Sequence, residues 1–91
     1  MAEGDDVRSG VRRFILEHFL VGEPPASLQD STSILTTGIV SSLATLELVA
    51  FLEDEYGVTL RQDDLSPDRL DSIDRIVSLV QELREGMTEG T

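Results

Sequence analysis

Two adjacent serines, Ser41 and Ser42, open an amphipathic pattern that continues from Leu43, and their possible chemistry depends on what the rest of the chain supplies. A helix N-terminus leaves backbone N–H groups free and carries the positive end of the macrodipole. A serine placed there is exposed, within reach of a partner enzyme, and suited to carry a phosphate ester. Serine is also a preferred N-cap, so the pair has a purely structural reading as well. To act as its own nucleophile it would need a base within hydrogen-bond reach. The only histidine, His18, falls on the apolar side of a predicted first helix, far upstream in the chain, where an imidazole is usually a packed or rim residue. No cysteine is present, which removes a thiolate nucleophile, a disulfide framework and a thiolate metal site. Glu53, Asp54 and Glu55 splay around a helix axis, and Asp63, Asp64 and Asp68 lack the glycine and spacing of a calcium loop. No catalytic residue and no metal site is assigned. The pattern points to a serine modified from outside.

Charge narrows the partners. The chain of 91 residues has 18 acidic and 7 basic residues, for a net charge of −11. From Phe14 to Leu60 there is no Lys or Arg, while Glu17, Glu23, Asp30, Glu47, Glu53, Asp54 and Glu55 fall in that stretch. Such a surface repels phosphate backbones and disfavours nucleic acid. It attracts basic protein patches and speeds encounter with them. The N-terminus is acidic where a secretory leader is basic and then apolar. No apolar run approaches the roughly 20 residues that span a bilayer. A soluble, cytoplasmic protein that does not engage membranes is expected.

The elements that must hold the serines follow from periodicity. Val7, Val11, Phe14, Ile15 and His18 share one helical face, so a first helix is predicted over residues 7–20. Asp5 and Asp6 supply its cap, and Gly22, Pro24 and Pro25 end it. Residues 21–41 form a long crossover anchored by Leu28, Ile34, Leu35 and Ile39, with Gly38 allowing a tight turn. The second helix starts at Ser41 or Ser42 and ends at Gly57. Thr45, Leu48, Val49, Leu52 and Tyr56 form its buried stripe. Leu43, Leu46 and Ala50 lie outside that stripe, interleaved with Glu47, Glu53 and Asp54. An apolar strip edged by carboxylates suits docking. Ser66 and Pro67 start a short helix with Leu70 turned inward. A last helix over residues 73–85 buries Ile73, Ile76, Val77, Val80 and Leu83 and stops at Gly86. The fold class is all-α, a small four-helix bundle with three longer helices and one short one. Residues 1–6 and 86–91 are expected to be flexible flanks, acidic and polar respectively.

The run Gly38-Ile39-Val40-Ser41-Ser42-Leu43, followed by Leu46-Glu47-Leu48-Val49 and by Leu52-Glu53-Asp54-Glu55-Tyr56-Gly57, resembles the acyl carrier protein family. Members usually read Gly, two residues, then Asp-Ser-Leu, and continue through a helix with an acidic and two apolar residues to a run of acids, an aromatic and often Gly. The resemblance covers residues 14–83 and has no gap from Ser42 to Gly57. It implies that residues 7–85 are a carrier domain. It also implies that Ser42, rather than Ser41, takes a 4'-phosphopantetheine group from coenzyme A through a phosphopantetheinyl transferase. The arm's terminal thiol then holds an acyl or aminoacyl group as a thioester. Leu43, Leu46, Glu47, Ala50, Glu53 and Asp54 occupy positions where relatives meet partner enzymes. One position departs from the pattern: Ser41 stands where the family ordinarily has Asp, which bears on recognition by the transferase. Ser41 can provide the cap that Asp would provide.

The expectation is therefore a monomeric, stand-alone carrier without catalytic activity. It would be loaded by an acyl- or aminoacyl-transferring enzyme and visited by downstream transferases, synthases or tailoring enzymes. Its wording is closer to discrete carriers of bacterial natural-product biosynthesis, polyketide or nonribosomal peptide, than to a housekeeping fatty-acid carrier. An aminoacyl, peptidyl or D-alanyl carrier is the alternative within the class. An unmodified acidic protein-interaction domain is the alternative outside it.

Overall fold

The computed structural model describes residues 3–24, 26 and 28–89. Among them are four α-helices: α1 (Glu3–Phe19), α2 (Ser42–Tyr56), α3 (Pro67–Leu70) and α4 (Ile73–Glu89), with a 3-10 turn at Gln62–Leu65. The described residues contain no strand. No described helix is long and apolar enough to cross a membrane.

Apolar periodicity explains the helices and how they pack. Val7, Val11 and Ile15 of α1, Leu48 and Leu52 of α2, and Ile73, Ile76, Val77, Leu79 and Val80 of α4 are buried in one cluster. Leu70 of α3 and Val58 close it. α4 packs directly against α1 and α3. Leu79 falls outside the stripe predicted from the sequence, yet it is fully buried. α4 is therefore covered over a wider sector than a surface helix. Phe51, also outside the predicted stripe of α2, stacks on Phe14 at 4.3 Å between ring centroids. That contact ties α2 to α1.

Several boundaries differ from expectation. α1 begins at Glu3, so the flank expected to be flexible over residues 1–6 is helical from Glu3 onward. Asp5 and Asp6 therefore fall inside the helix and not at a cap. α4 continues through Gly86 to Glu89, so most of the expected tail over residues 86–91 is helical. A glycine in a helix interior costs only about 1 kcal/mol relative to Ala, too little to stop a helix with good formers on both sides. The parts of those flanks at Met1, Ala2, Gly90 and Thr91, and the expected stop at Pro25, lie outside the described residues. α3 starts at Pro67 as expected and makes a single turn. His18 is exposed, its ring 4.4 Å from that of Phe14. It is a rim residue.

Between Phe19 and Ser42 no α-helix is present among the described residues. Leu28, Ile34 and Val40 of this connection are nevertheless buried as completely as the helical core. Val40 was not among the expected anchors. Leu35 and Ile39, which were, are half-buried. Gly38 has φ 83°, the left-handed turn that the sequence suggested.

Candidate functional site

The two serines have different jobs at the start of α2. Ser41 has extended backbone (φ −72°, ψ 171°), and its Oγ accepts the Ala44 N–H at 3.1 Å. Its carbonyl accepts the Thr45 N–H and the Thr45 hydroxyl, both at 2.9 Å. Ser41 is thus the N-cap. Ser42 is the first helical residue and is exposed. Its hydroxyl makes no hydrogen bond among the described residues. One oxygen is engaged by the helix and the other is free.

Beside Ser42 lies a cleft of about 550 Å³. The connection contributes Leu35, Thr36 and Val40 to its lining, α2 contributes Thr45 and Leu46, and the 3-10 turn contributes Leu65. Four aliphatic residues and two threonines thus line a space within the size range of small-molecule sites.

The connection owes its shape to two carboxylates. Asp71, directly before the α4 N-cap Ser72, turns back onto it. Asp71 Oδ1 accepts the Leu35 N–H at 2.9 Å and the Thr36 N–H at 3.2 Å, and Oδ2 accepts the Thr36 hydroxyl at 3.1 Å. The Asp71 carbonyl accepts the Ile34 N–H at 2.7 Å, and the Ile34 carbonyl accepts the Val40 N–H at 2.8 Å. Partial burial opposes the Asp71 charge. The Leu35 and Thr36 N–H groups and the Thr36 and Ser33 hydroxyls outweigh that opposition and hold the carboxyl below its ordinary value. Asp30 does the same work nearer α1. It is held below its ordinary value chiefly by Arg12, against partial burial, and further by Arg8. The contacts are Arg12 Nη2 at 2.7 Å and Arg8 Nη1 at 2.9 Å. Arg12 also donates to the Leu28 carbonyl, and Arg8 reaches Asp74 of α4 at 2.5 Å. One arginine therefore joins α1, the connection and α4.

The outer side of α2 carries Leu43, Leu46, Glu47, Ala50 and Asp54, all exposed. Leu43 and Leu46 are 80% and 60% exposed, so they do not pack beneath the connection. Glu53 differs from this set. It is half-buried, and its Oε2 accepts the Leu60 N–H at 2.9 Å. That bond fixes the chain leaving α2, so Glu53 is engaged in the fold where the other residues are free. Among the described residues no group of three or more His, Asp or Glu side chains is placed to hold a metal ion.

Asp30, Asp71, Arg8 and Arg12 were not singled out from the sequence. Arg8 and Arg12 do show one signal, an i, i+4 spacing of like charge on one helix face. Such a pair is unfavourable unless an acid from elsewhere meets it. Nothing in the sequence names Asp30 as that acid.

No family model and no curated protein matches the chain.

Proposed function

We propose that this protein is a carrier that holds an acyl or aminoacyl group as a thioester on a 4'-phosphopantetheine arm at Ser42 and presents it to partner enzymes. The observation that carries the reading is the division of labour between the serines: Ser41 caps α2, leaving Ser42 exposed and unbonded at the helix start. The resemblance of residues 14–83 to acyl carrier proteins stands beside it, and we read the all-helical architecture as a four-helix bundle with a long loop between α1 and α2.

The residues present fit such a group. The arm supplies a thiol, which the chain lacks, and with it an activated carbonyl. Ser42 gives up its hydroxyl proton to the modifying enzyme, and its Oγ becomes the ester oxygen of the phosphate taken from coenzyme A, with the nucleotide bisphosphate leaving. The free N–H groups and positive dipole end of α2 favour that phosphate's charge, an effect of about 0.3–1 kcal/mol at an exposed site. Ser41 keeps the first turn wound, the role that Asp has in the family. The cleft offers hydroxyl groups and aliphatic walls to a chain that is partly amide and partly methylene. Leu43, Leu46, Glu47, Ala50 and Asp54 meet the transferase, the loading enzyme and the downstream enzymes through an apolar strip edged by acid. Bacterial natural-product biosynthesis in the cytoplasm, with the carrier as a monomer, is the setting we favour.

Intact-mass spectrometry after incubation with coenzyme A and a broad-specificity phosphopantetheinyl transferase tests the reading. The expected result is a gain of one phosphopantetheinyl unit in the native protein and in Ser41→Ala, with none in Ser42→Ala. An unchanged native mass favours an unmodified acidic interaction domain, which Ser41 in place of Asp keeps as the second reading. Mass analysis of protein recovered from its own host distinguishes acyl from aminoacyl, peptidyl or D-alanyl cargo.

A further inference from the structure

We propose that Asp71 is a positioning residue for the loading of Ser42: from the start of α4 it fixes the wall of the cleft that the connection provides. This rests on the carrier reading for its functional arm, and on geometry alone for its structural arm. Leu35 and Thr36 line the cleft, and both are held through their backbone N–H groups by one carboxylate, with the Thr36 hydroxyl held as well. The Asp71 carbonyl fixes Ile34, whose own carbonyl binds the Val40 N–H immediately before the Ser41 cap. Two backbone hydrogen bonds therefore link the chain just before α4, through Ile34, to Val40, which precedes the Ser41 cap. Irregular backbone has no ladder to satisfy its N–H groups. Without the carboxylate, the N–H groups of Leu35 and Thr36 turn to water and the wall they form loses its shape. Asp74 provides the contrast. It lies three residues on, in the first turn of α4, but pairs with Arg8 and takes no part in the cleft.

The test compares Asp71→Ala, Asp71→Asn and Asp74→Asn. In two-dimensional NMR of the unmodified protein, Asp71→Ala is expected to shift the amides of Leu35, Thr36, Thr45, Leu46 and Leu65 while those of Val11 and Val80 stay in place. Asp71→Asn retains an acceptor at the same atom and is expected to shift them less. In loading assays with coenzyme A and a broad-specificity transferase, kcat/KM is expected to fall about tenfold for Asp71→Ala, since small misplacements of reacting groups have effects of this size or larger. It should recover to within about twofold for Asp71→Asn and stay unchanged for Asp74→Asn. Cleft amides that do not move, or Asp71→Ala loaded as fast as the native protein, overturn the proposal. If Asp71→Ala does not fold, Thr36→Val removes the side-chain bond alone and should shift the same amides. A native protein that is never loaded sinks the carrier reading, and the NMR comparison still decides whether Asp71 shapes the cleft.

Discussion

The α1–α2 connection and α4 bury aliphatic side chains equally well, by different physics. In α4 the helix satisfies its own backbone, and Ile73, Ile76, Leu79 and Val80 reach the core because their spacing keeps them on the inner side. Among its described residues the connection has no α-helix to satisfy its backbone, yet Leu28, Ile34 and Val40 are as inaccessible. Some of its N–H groups and carbonyls are met within it, as Val40 N–H is by the Ile34 carbonyl, and others go to partners from other elements: Asp71 for Ile34, Leu35 and Thr36, and Arg12 for Leu28. Irregular backbone can be fixed in place, provided that charged groups outside it replace the missing ladder. Here the replacement sits beside the residue proposed to carry the prosthetic group. The shape of the site therefore depends on polar contacts, while the fold depends on apolar ones.

The sharpest way to break this comparison is to truncate one buried residue on each side. Leu79→Ala and Ile34→Ala should each destabilise the protein by about 2–5 kcal/mol, the range for large-to-small changes in a close-packed core. Urea unfolding measures both. If Ile34→Ala costs less than about 1 kcal/mol while Leu79→Ala costs the full amount, the connection is not part of the cooperative unit.

Acid should act on the connection before it acts on α4. Asp30 and Asp71 both have native pKa values below the ordinary 3.8, so each binds its proton less readily when folded than when unfolded. Their contribution to stability is complete above that ordinary value and is lost as the pH falls from it through the lowered native values. Amide exchange at Leu35 and Thr36 should therefore rise, relative to Val80, as the pH drops below about 4. Asp30→Asn should flatten the acid limb of the stability profile and cost about 1 kcal/mol or less at neutral pH, since the pair is partly exposed. Leu35, Thr36 and Val80 losing protection together at every pH would mean that the connection has no separate polar latch.

What could be read from the sequence follows the same division. Helical periodicity placed Val7, Val11, Ile15, Leu48, Leu52, Ile73, Ile76 and Val80 in the core, because a period of 3.6 records which side is covered. The cap at Ser41 and the stop at Gly57 were legible because capping is chemistry between near neighbours. The latch at Asp71 was not, since its partners are 35 and 36 residues away in the chain and no local pattern encodes that meeting. Glu53 was grouped with the exposed acids for the same reason: helical spacing gives its direction, but not the Leu60 N–H that captures it. The helix ends at Glu3 and Glu89 lie beyond the limits that flanking acids and a single glycine suggest, because such residues stop a helix only weakly.

At the junction of the two regions, the N-cap provides a smaller effect. Ser41→Ala removes the acceptor for the Ala44 N–H and should cost about 1 kcal/mol. Ser41→Asp keeps an acceptor and adds charge at the positive end of α2, so it should hold stability at or slightly above the native value. Ser42→Ala should leave thermal stability unchanged, since its hydroxyl makes no hydrogen bond among the described residues. A loss for Ser42→Ala equal to that for Ser41→Ala would mean that the two serines share the cap, contrary to the division on which the assignment of Ser42 depends.

The smallest effect sharpens the helical side of the comparison, where contacts are steric. A Cβ on Gly10 of α1 would stand 2.1 Å from Tyr56 Oη and 3.4 Å from Cζ. Tyr56 donates to the Val7 carbonyl at 3.4 Å, packs edge-on to Phe51 and lies beneath the Arg84 guanidinium. Its ring therefore has contacts to lose if it swings aside. Exchanging glycine for alanine inside a helix is worth about 1 kcal/mol by itself. Against native Tyr56 that gain should be cancelled by displacement of the ring, leaving Gly10→Ala neutral or slightly destabilising. In a Tyr56→Phe background the oxygen is gone and the remaining 3.4 Å contact is close to ordinary packing. There the same substitution should stabilise by about 0.5–1 kcal/mol, seen as a rise of a few degrees in Tm. The difference between backgrounds is a coupling energy of about 1 kcal/mol. Equal stabilisation in both would mean that Tyr56 does not rest against α1, and the close fit of α1 to α2 at that point would have to be withdrawn.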